Sequence, residues 1–306
     1  MLMNPIRIVR AIVTNLLALL LPRYYLQITG QTGRGRGDTD PLEVAEYYYQ
    51  CFLDYIEQMS ISLKELPEFL KGKILLEYGP GDTPGVAMLF YAYGAEEVVL
   101  IDRFPMLSLN ASNIAIISAL IEKLPPVEKN RALGIFQRTG DPQSGFREEI
   151  LNYRIHSKGL SCLEEAVDII YSRAVLEHVA DLEASFSDMS CALKPGGLAI
   201  HQVDLKSHGL HQKSILDFLI WPSWLWYVMY SAKGVPNRWR FNKYQDVVAK
   251  TGLITTKIKC MGMASLQDIN EVKNKLASVF SDVSDEDLRC LGFWILLHKP
   301  QEPPKL

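Results

Sequence analysis

Glu77-Tyr-Gly-Pro-Gly-Asp-Thr-Pro-Gly85 is the stretch of this chain whose residue types best suit the holding of a ligand. A strand that ends in Gly79 and Gly81 turns sharply and lets a ligand approach its backbone, since neither residue interposes a side chain. Glu77, at the end of that strand, accepts hydrogen bonds or favours a nearby cation. Asp102 closes a second apolar run about 20 residues beyond the turn, where a carboxylate can grip both hydroxyls of a ribose. These residues alone also suit a nicotinamide-dependent oxidoreductase. Two features disfavour it: the pattern G-x-G-x-x-G would put Pro84 at its third glycine, and Glu77 would sit beside a pyrophosphate. A cofactor with a positive sulfonium and no phosphate suits the two acids better.

Groups able to move a proton follow. His201-Gln-Val-Asp204-Leu-Lys-Ser-His208 leaves a later apolar run. A histidine titrating near neutrality takes a proton from a hydroxyl, and an aspartate orients it, so His201, Asp204 and His208 are the candidate catalytic residues. On a strand His201 and Asp204 face opposite sides, and they cooperate only if the strand has ended by about Val203. The plainer alternative makes His201 a sheet residue and His208 a loop residue. His201, Asp204, His208 and His211 are all metal-ligand types, but their spacing matches no compact motif and no metal is expected.

Residues 215–239 carry Trp221, Trp224, Trp226, Tyr227, Tyr230 and Trp239. Such a cluster can cover an active site, stack on a sugar or apolar acceptor, rest at a lipid interface, or simply pack a core. Pro222 and Pro236 interrupt it, which predicts a lid of two short helices. Arg238, Arg240 and Lys243 either meet an anionic group or form a solvated basic face.

The elements that must position these residues are legible as alternating short apolar runs and helical stretches from Lys73 onward, the pattern of a parallel sheet covered on both faces. Strands are predicted at 74–77, 97–102, 151–155, 167–172, 198–204, 254–260 and 292–298, with helices at 86–93, 108–123, 182–193 and 244–251. The stretch 125–144 reads as less regular. The chain is thus an α/β protein whose main domain spans 41–306, with an aromatic insertion at about 207–243.

Residues 1–40 form an extension. The stretch 6–25 is the most apolar of the chain, yet its uncharged run, 11–21, is about half of the ~20 residues a membrane-spanning helix needs. No small-x-small cleavage site follows it. It reads as a helix lying on a membrane surface, with Arg7, Arg10 and Arg23 flanking apolar residues, or as one docked on the domain. The Gly/Arg-rich segment 31–40 reads as a mobile loop, and helical periodicity resumes over 41–64.

Composition bounds the partners. Of 306 residues, 48% are hydrophobic and 22% charged, enough for one large core, and a net charge of −3 offers no general attraction to a polyanion. No nucleic-acid partner is expected. Cys51, Cys162, Cys191, Cys260 and Cys290 are scattered and form no C-x-x-C pair, which argues against a disulfide framework or zinc cluster and suits a reduced, cytoplasmic setting.

In sum of motifs the chain resembles the class I S-adenosylmethionine-dependent methyltransferases, in particular the type 11-like group with an L-E-H motif after the fourth strand. Glu77-x-Gly79-x-Gly81-x-Thr83 is similar to the family pattern [D/E]-x-G-x-G-x-G, with the third glycine replaced and Gly85 two residues late. Asp102 ends the second strand, Asp168 to Val179 carries Leu176-Glu177-His178, and Leu193-Lys-Pro-Gly-Gly197 resembles the turn before the fifth strand. The resemblance covers roughly 70–205. It implies a doubly wound, seven-stranded Rossmann-like sheet with an antiparallel last strand. It also implies S-adenosylmethionine as cofactor, held by Glu77, Gly79, Gly81, Asp102, Arg103 and Ser172. The reaction implied is displacement of the methyl group from the sulfonium, with a glycan, lipid-linked or other small-molecule acceptor expected. In this family His178 belongs to the motif and is read as structural or as pocket wall. A non-catalytic binding module on the same fold is the competing expectation.

Overall fold

Residues 5–30, 32–33 and 40–301 are described by the computed structural model. Helices α1 (Pro5–Leu20), α2 (Pro22–Thr29), α3 (Pro41–Met59) and α4 (Leu66–Leu70) precede strand β1 (Ile74–Tyr78). Next come α5 (Gly85–Ala92), β2 (Glu97–Asp102), α6 (Ala111–Glu122), α7 (Pro126–Leu133), β3 (Leu151–Ile155) and β4 (Val167–Arg173). The chain continues through α8 (Leu182–Ala192), β5 (Leu193–Asp204), α9 (Ser223–Tyr230) and α10 (Phe241–Val248). It ends in β6 (Ile254–Met263), α11 (Leu266–Val272), α12 (Asp285–Arg289) and β7 (Cys290–His298).

The apolar runs of β1, β2 and β4 are buried along nearly their whole lengths, as strands covered on both faces must be. They join one sheet in the order β3-β2-β1-β4-β5-β7-β6. β1 is parallel to β2 and β4, and β2 to β3. β7 runs against β5: Lys299 bonds back to Gly197 at one end, while Leu205 donates to Leu291 at the other. The sheet is therefore doubly wound and seven-stranded, with an antiparallel last strand. Strand order reverses between β1 and β4, the point at which such sheets open a crevice at their carboxyl ends.

Several elements depart from the sequence-based expectation. The apolar N-terminal stretch forms two helices, because Pro22 opens a new one. Pro125-Pro126 starts α7 inside the stretch read as irregular. β5 begins at Leu193 and takes in the Lys-Pro-Gly-Gly segment expected to be a turn. α11 and α12 lie where no helix was read; Ser265 with Asp268 forms a reciprocal cap at one, and Ser284 accepts from the Asp287 N–H at the other. Most of the 31–40 segment lies outside the described residues.

Two compact units are defined by contacts. One comprises Gly30–Ser172 and Cys191–Ile200 with the end of the chain from His298; the other comprises Arg173–Ser190 and His201–Leu297 with the beginning through Thr29. In the first, α3 packs on α5 and α6, and the rings of Phe52, Tyr55, Phe90 and Tyr171 interlock with centroids 4.9–6.1 Å apart. In the second, Leu216, Phe218, Leu219 and Trp226 share a core with Ile269, Val272, Phe280 and Leu288, and α1 packs on α9. None of the five cysteines forms a disulfide.

Candidate functional site

In the first unit the glycine turn leaves β1 with Gly79 at φ +68° and Gly81 at φ +73°, a left-handed backbone that glycine adopts without strain. A Cβ on Gly81 would lie 2.9 Å from the Thr32 carbonyl oxygen, and the Asp82 N–H donates to that same oxygen at 3.1 Å. Thr32 and Gly33 thus rest directly on the turn. The displaced glycine has a packing cause. A Cβ on Gly85 would meet the Tyr48 ring at 2.5 Å, so Gly85 lets α5 slide under α3, while Thr83 in the third-glycine position is fully buried.

Glu77 and Asp102 are buried carboxyls, 9% and 8% exposed. Burial pushes Glu77 up to about 8; the Tyr171 hydroxyl, which donates to it at 3.1 Å, works the other way, and the Asp102 charge adds to the rise. Burial likewise raises Asp102 to about 6, against the backbone N–H groups of Phe104, Arg103 and Gly81 that bond to it. The Phe104 N–H lies 3.1 Å from its Oδ1. Two acids this short of compensation suit a ligand that brings a cation and hydroxyl donors, which an adenosyl sulfonium with its ribose does. The donor set fits that cofactor.

Arg103 is half-buried, and burial lowers its pKa against the pull of Asp102. Ser172 is buried near the end of β4, in register with Tyr78. All six residues expected to hold the cofactor therefore fall at the carboxyl ends of β1, β2 and β4 or on the turns that follow. Two supports escaped sequence reading. Tyr153 of β3 donates to the Phe104 carbonyl at 3.0 Å and accepts from the Met106 N–H at 3.1 Å. Asn113, on α6, donates to the Asp82 carbonyl at 3.1 Å and the Ser108 carbonyl at 3.0 Å. They fix the loop after Asp102, and nothing in a single sequence marks such long-range bonds.

In the second unit Leu176–His178 forms one turn of 3₁₀ helix. Glu177 is 1% exposed, and its Oε1 accepts from the Asp204 N–H at 3.2 Å. Burial lifts its carboxyl well above the ordinary range. Asn237 clamps the turn: its side chain donates to the Leu176 and Val179 carbonyls at 2.9 and 3.2 Å. His208, itself left-handed at φ +50°, sets its Nε2 3.7 Å from Asp204 Oδ2, and its ring meets that of His178 edge-on at 4.9 Å. Burial alone would raise Asp204, but His208 and Lys206 outweigh it and hold the carboxyl below its usual value.

His201 does not join this group. β5 continues through Asp204, so the two side chains face opposite sides, and the His201–Asp204 dyad weighed from sequence is replaced by an Asp204–His208 pair. His201 is fully buried against Phe186, and burial drives its pKa down to about 3. His211 turns to Ser207 instead. Arg238 and Arg240 are buried as well. The first donates to the Phe218 and Trp221 carbonyls, the second to those of Leu205, Leu288 and Cys290, so neither offers a basic face. The insertion does form two short helical pieces, Asp217–Ile220 and α9. Beside them lies a cleft of about 420 Å³ whose walls include His178, Trp226, Tyr227, Tyr230, Asn237 and Trp239.

A doubly wound sheet, with a glycine turn at its switch point and an acid closing the second strand, defines a nucleoside-cofactor-binding α/β domain. The methyltransferase domain model matches residues 48–253, well over half of the chain. The chain belongs to the methyltransferase domain family, and it is a class I enzyme that uses S-adenosylmethionine. The non-catalytic alternative gives way to that membership. No curated protein gives a significant match. Solved structures similar to the chain include an S-adenosylmethionine-dependent methyltransferase from Mesorhizobium loti, 14% identical over 77% of this chain and 95% of that one, with a TM-score of 0.41. A phosphoethanolamine N-methyltransferase from Haemonchus contortus is 15% identical over 82% of this chain and 60% of that one, at 0.42. The geranyl diphosphate C-methyltransferase of Streptomyces coelicolor is 16% identical over 78% and 77%, at 0.43.

Proposed function

We propose that this methyltransferase O-methylates a lipid-linked or glycan acceptor at a membrane surface. One observation carries the reading: α1 is inverted. Its buried residues are Ala11, Asn15 and Ala18, whereas Ile6, Val9, Val13, Leu16, Leu19 and Leu20 are at least half exposed. The apolar face continues through Leu21, Tyr24 and Ile28, and α9 adds Trp224 and Tyr227, about 70% exposed. Contiguous exposed apolar residues of this kind mark an interaction surface. Aromatic and aliphatic side chains flanked by exposed Arg7, Arg10 and Arg23 suit an interface with anionic headgroups. No helix among the described residues is long and apolar enough to cross a membrane, so the face would lie on a bilayer.

The helix is held in this orientation by polar bonds. The Asn15 side chain donates to the Val228 carbonyl at 3.0 Å and accepts from the Ala232 N–H at 2.9 Å, and Lys233 Nζ donates to the Ala11 carbonyl at 2.9 Å. In the proposed reaction Asp102 would hold the ribose hydroxyls, Glu77 would favour the cofactor's positive charge, and Gly79, Gly81, Arg103 and Ser172 would complete its seat. When bound, the sulfonium supplies an electrophilic methyl group. The Asp204–His208 pair takes the proton of the acceptor hydroxyl, and the aromatic cleft receives the acceptor's apolar or sugar moiety.

Transfer of labelled methyl groups from S-adenosylmethionine to polyprenyl-linked sugars and glycolipids in vesicles, compared with the same sugars free in solution, tests this. We expect transfer to the vesicle-borne acceptors, with the Asp204→Asn, His208→Asn double variant slower by about 100-fold. Equal methylation of the free sugars, or full activity in the variant, would overturn the reading.

A further inference from the structure

The L-E-H turn and the loop after β5 bring together a group that the proposed reaction does not fully use. Glu177, His178 and His208 each present one ligand atom, a carboxylate oxygen or a ring nitrogen, and these atoms all lie within 4.8 Å of one another. We propose that Glu177, His178 and His208 bind a divalent transition-metal ion.

Three observations support it. The residue types are complementary to a borderline cation such as Fe²⁺, Co²⁺ or Zn²⁺, because two imidazoles and one carboxylate suit these ions better than Mg²⁺ or Ca²⁺, which prefer oxygen throughout. Glu177 is 1% exposed, and while Oε1 takes the Asp204 N–H, Oε2 has no hydrogen-bond partner. A buried carboxylate oxygen left without a partner, on a residue whose ligand atom lies within 4.8 Å of two imidazole nitrogens, is what a cation would satisfy. The spacing also fits. His178 Nε2 stands 4.0 Å from Glu177 Oε1, and metal bonds of about 2.1 Å would draw such pairs to roughly 3–4 Å with side-chain movement alone. Both histidines are partly open to solvent, with side chains 25% and 31% exposed, so an ion has a way in and room remains for further ligands.

Sequence spacing conceals the site. Glu177 and His178 are adjacent, whereas His208 comes 30 residues later by their numbering and from a different loop. His178 also lines the aromatic cleft, which puts the ion at its wall. The site shares His208 with the Asp204–His208 pair proposed above for the reaction. The metal inference stands apart from that activity, because it is read by binding alone.

Titration of the purified, chelator-treated chain with Co²⁺, followed by its visible d–d absorption, tests it. One equivalent should bind, Zn²⁺ should displace it, and Glu177→Gln or His208→Asn should weaken binding by more than about tenfold with an unchanged circular dichroism spectrum. Glu177→Gln keeps an oxygen to accept the Asp204 N–H, so its loss of binding reports the charge and not the fold. His156→Ala, on the other unit, should bind as the parent does. Absence of the absorption at excess Co²⁺, or its persistence in a His178→Ala, His208→Asn double variant, overturns the assignment.

Discussion

At the residue scale the proposed cofactor site rests on Asp102 and Glu77, and their protonation would give it a pH signature. Burial holds these carboxyls at about 6 and about 8, above the ordinary 3.8 and 4.5 of an unfolded chain. Through that window the folded protein binds more protons than the unfolded one, so the stability of the cofactor-free protein falls as pH rises from about 4 to about 8. A ligand bearing a cation and hydroxyl donors prefers the ionised carboxyls. Binding of S-adenosylmethionine should therefore release protons and tighten as pH rises from about 6 to about 8, which calorimetry in buffers of different ionisation enthalpy measures. Asp102→Asn keeps the size of the side chain and removes its charge. It should weaken the cofactor by about 10–100-fold, and unchanged affinity would separate Asp102 from the site.

At the scale of elements, Arg240 staples the end of β5 to α12 and β7. It is 1% exposed, and its guanidinium serves the carbonyls of Leu205, Leu288 and Cys290. Burial lowers its pKa to about 10, which still leaves it charged at neutral pH. Arg240→Met fills a similar volume but strands three carbonyls, and it should cost about 3 kcal/mol or more in denaturant unfolding. A loss below 1 kcal/mol, on the order of an exposed substitution, would show the staple to be dispensable. The same arginine teaches how sequence misleads. Arg238, Arg240 and Lys243 read as a basic cluster, yet two are consumed by backbone carbonyls, and Lys243 pairs with Glu183 at 3.0 Å. Periodicity located β1, β2 and β4 because they are buried along nearly their whole lengths, but it passed over α7, α11 and α12. α11 and α12 are short and are announced by a capping serine, and α7 by paired prolines; none carries a sustained apolar stripe.

For the whole molecule, a net charge of −3 means that the proposed attraction to an anionic bilayer would have to be local, from Arg7, Arg10 and Arg23 beside the apolar face. Sedimentation with phosphatidylglycerol vesicles should carry the protein down, and Leu16→Asp with Leu19→Asp should leave it in the supernatant with its cofactor affinity intact. Retention by vesicles in that variant would assign the face to another partner. The class of fold, the glycine turn and the acid that ends β2 follow from the order of residues, since strand burial and glycine spacing are local properties that a sequence displays. Tertiary structure alone decided the rest. It showed that His201 is sealed inside the sheet while Asp204 turns to His208, that Gly85 answers to Tyr48, and that α1 keeps asparagine and alanine inside with its leucines out. Each depends on which neighbour a side chain meets across tens or hundreds of residues, and chain order does not encode that proximity in any short pattern.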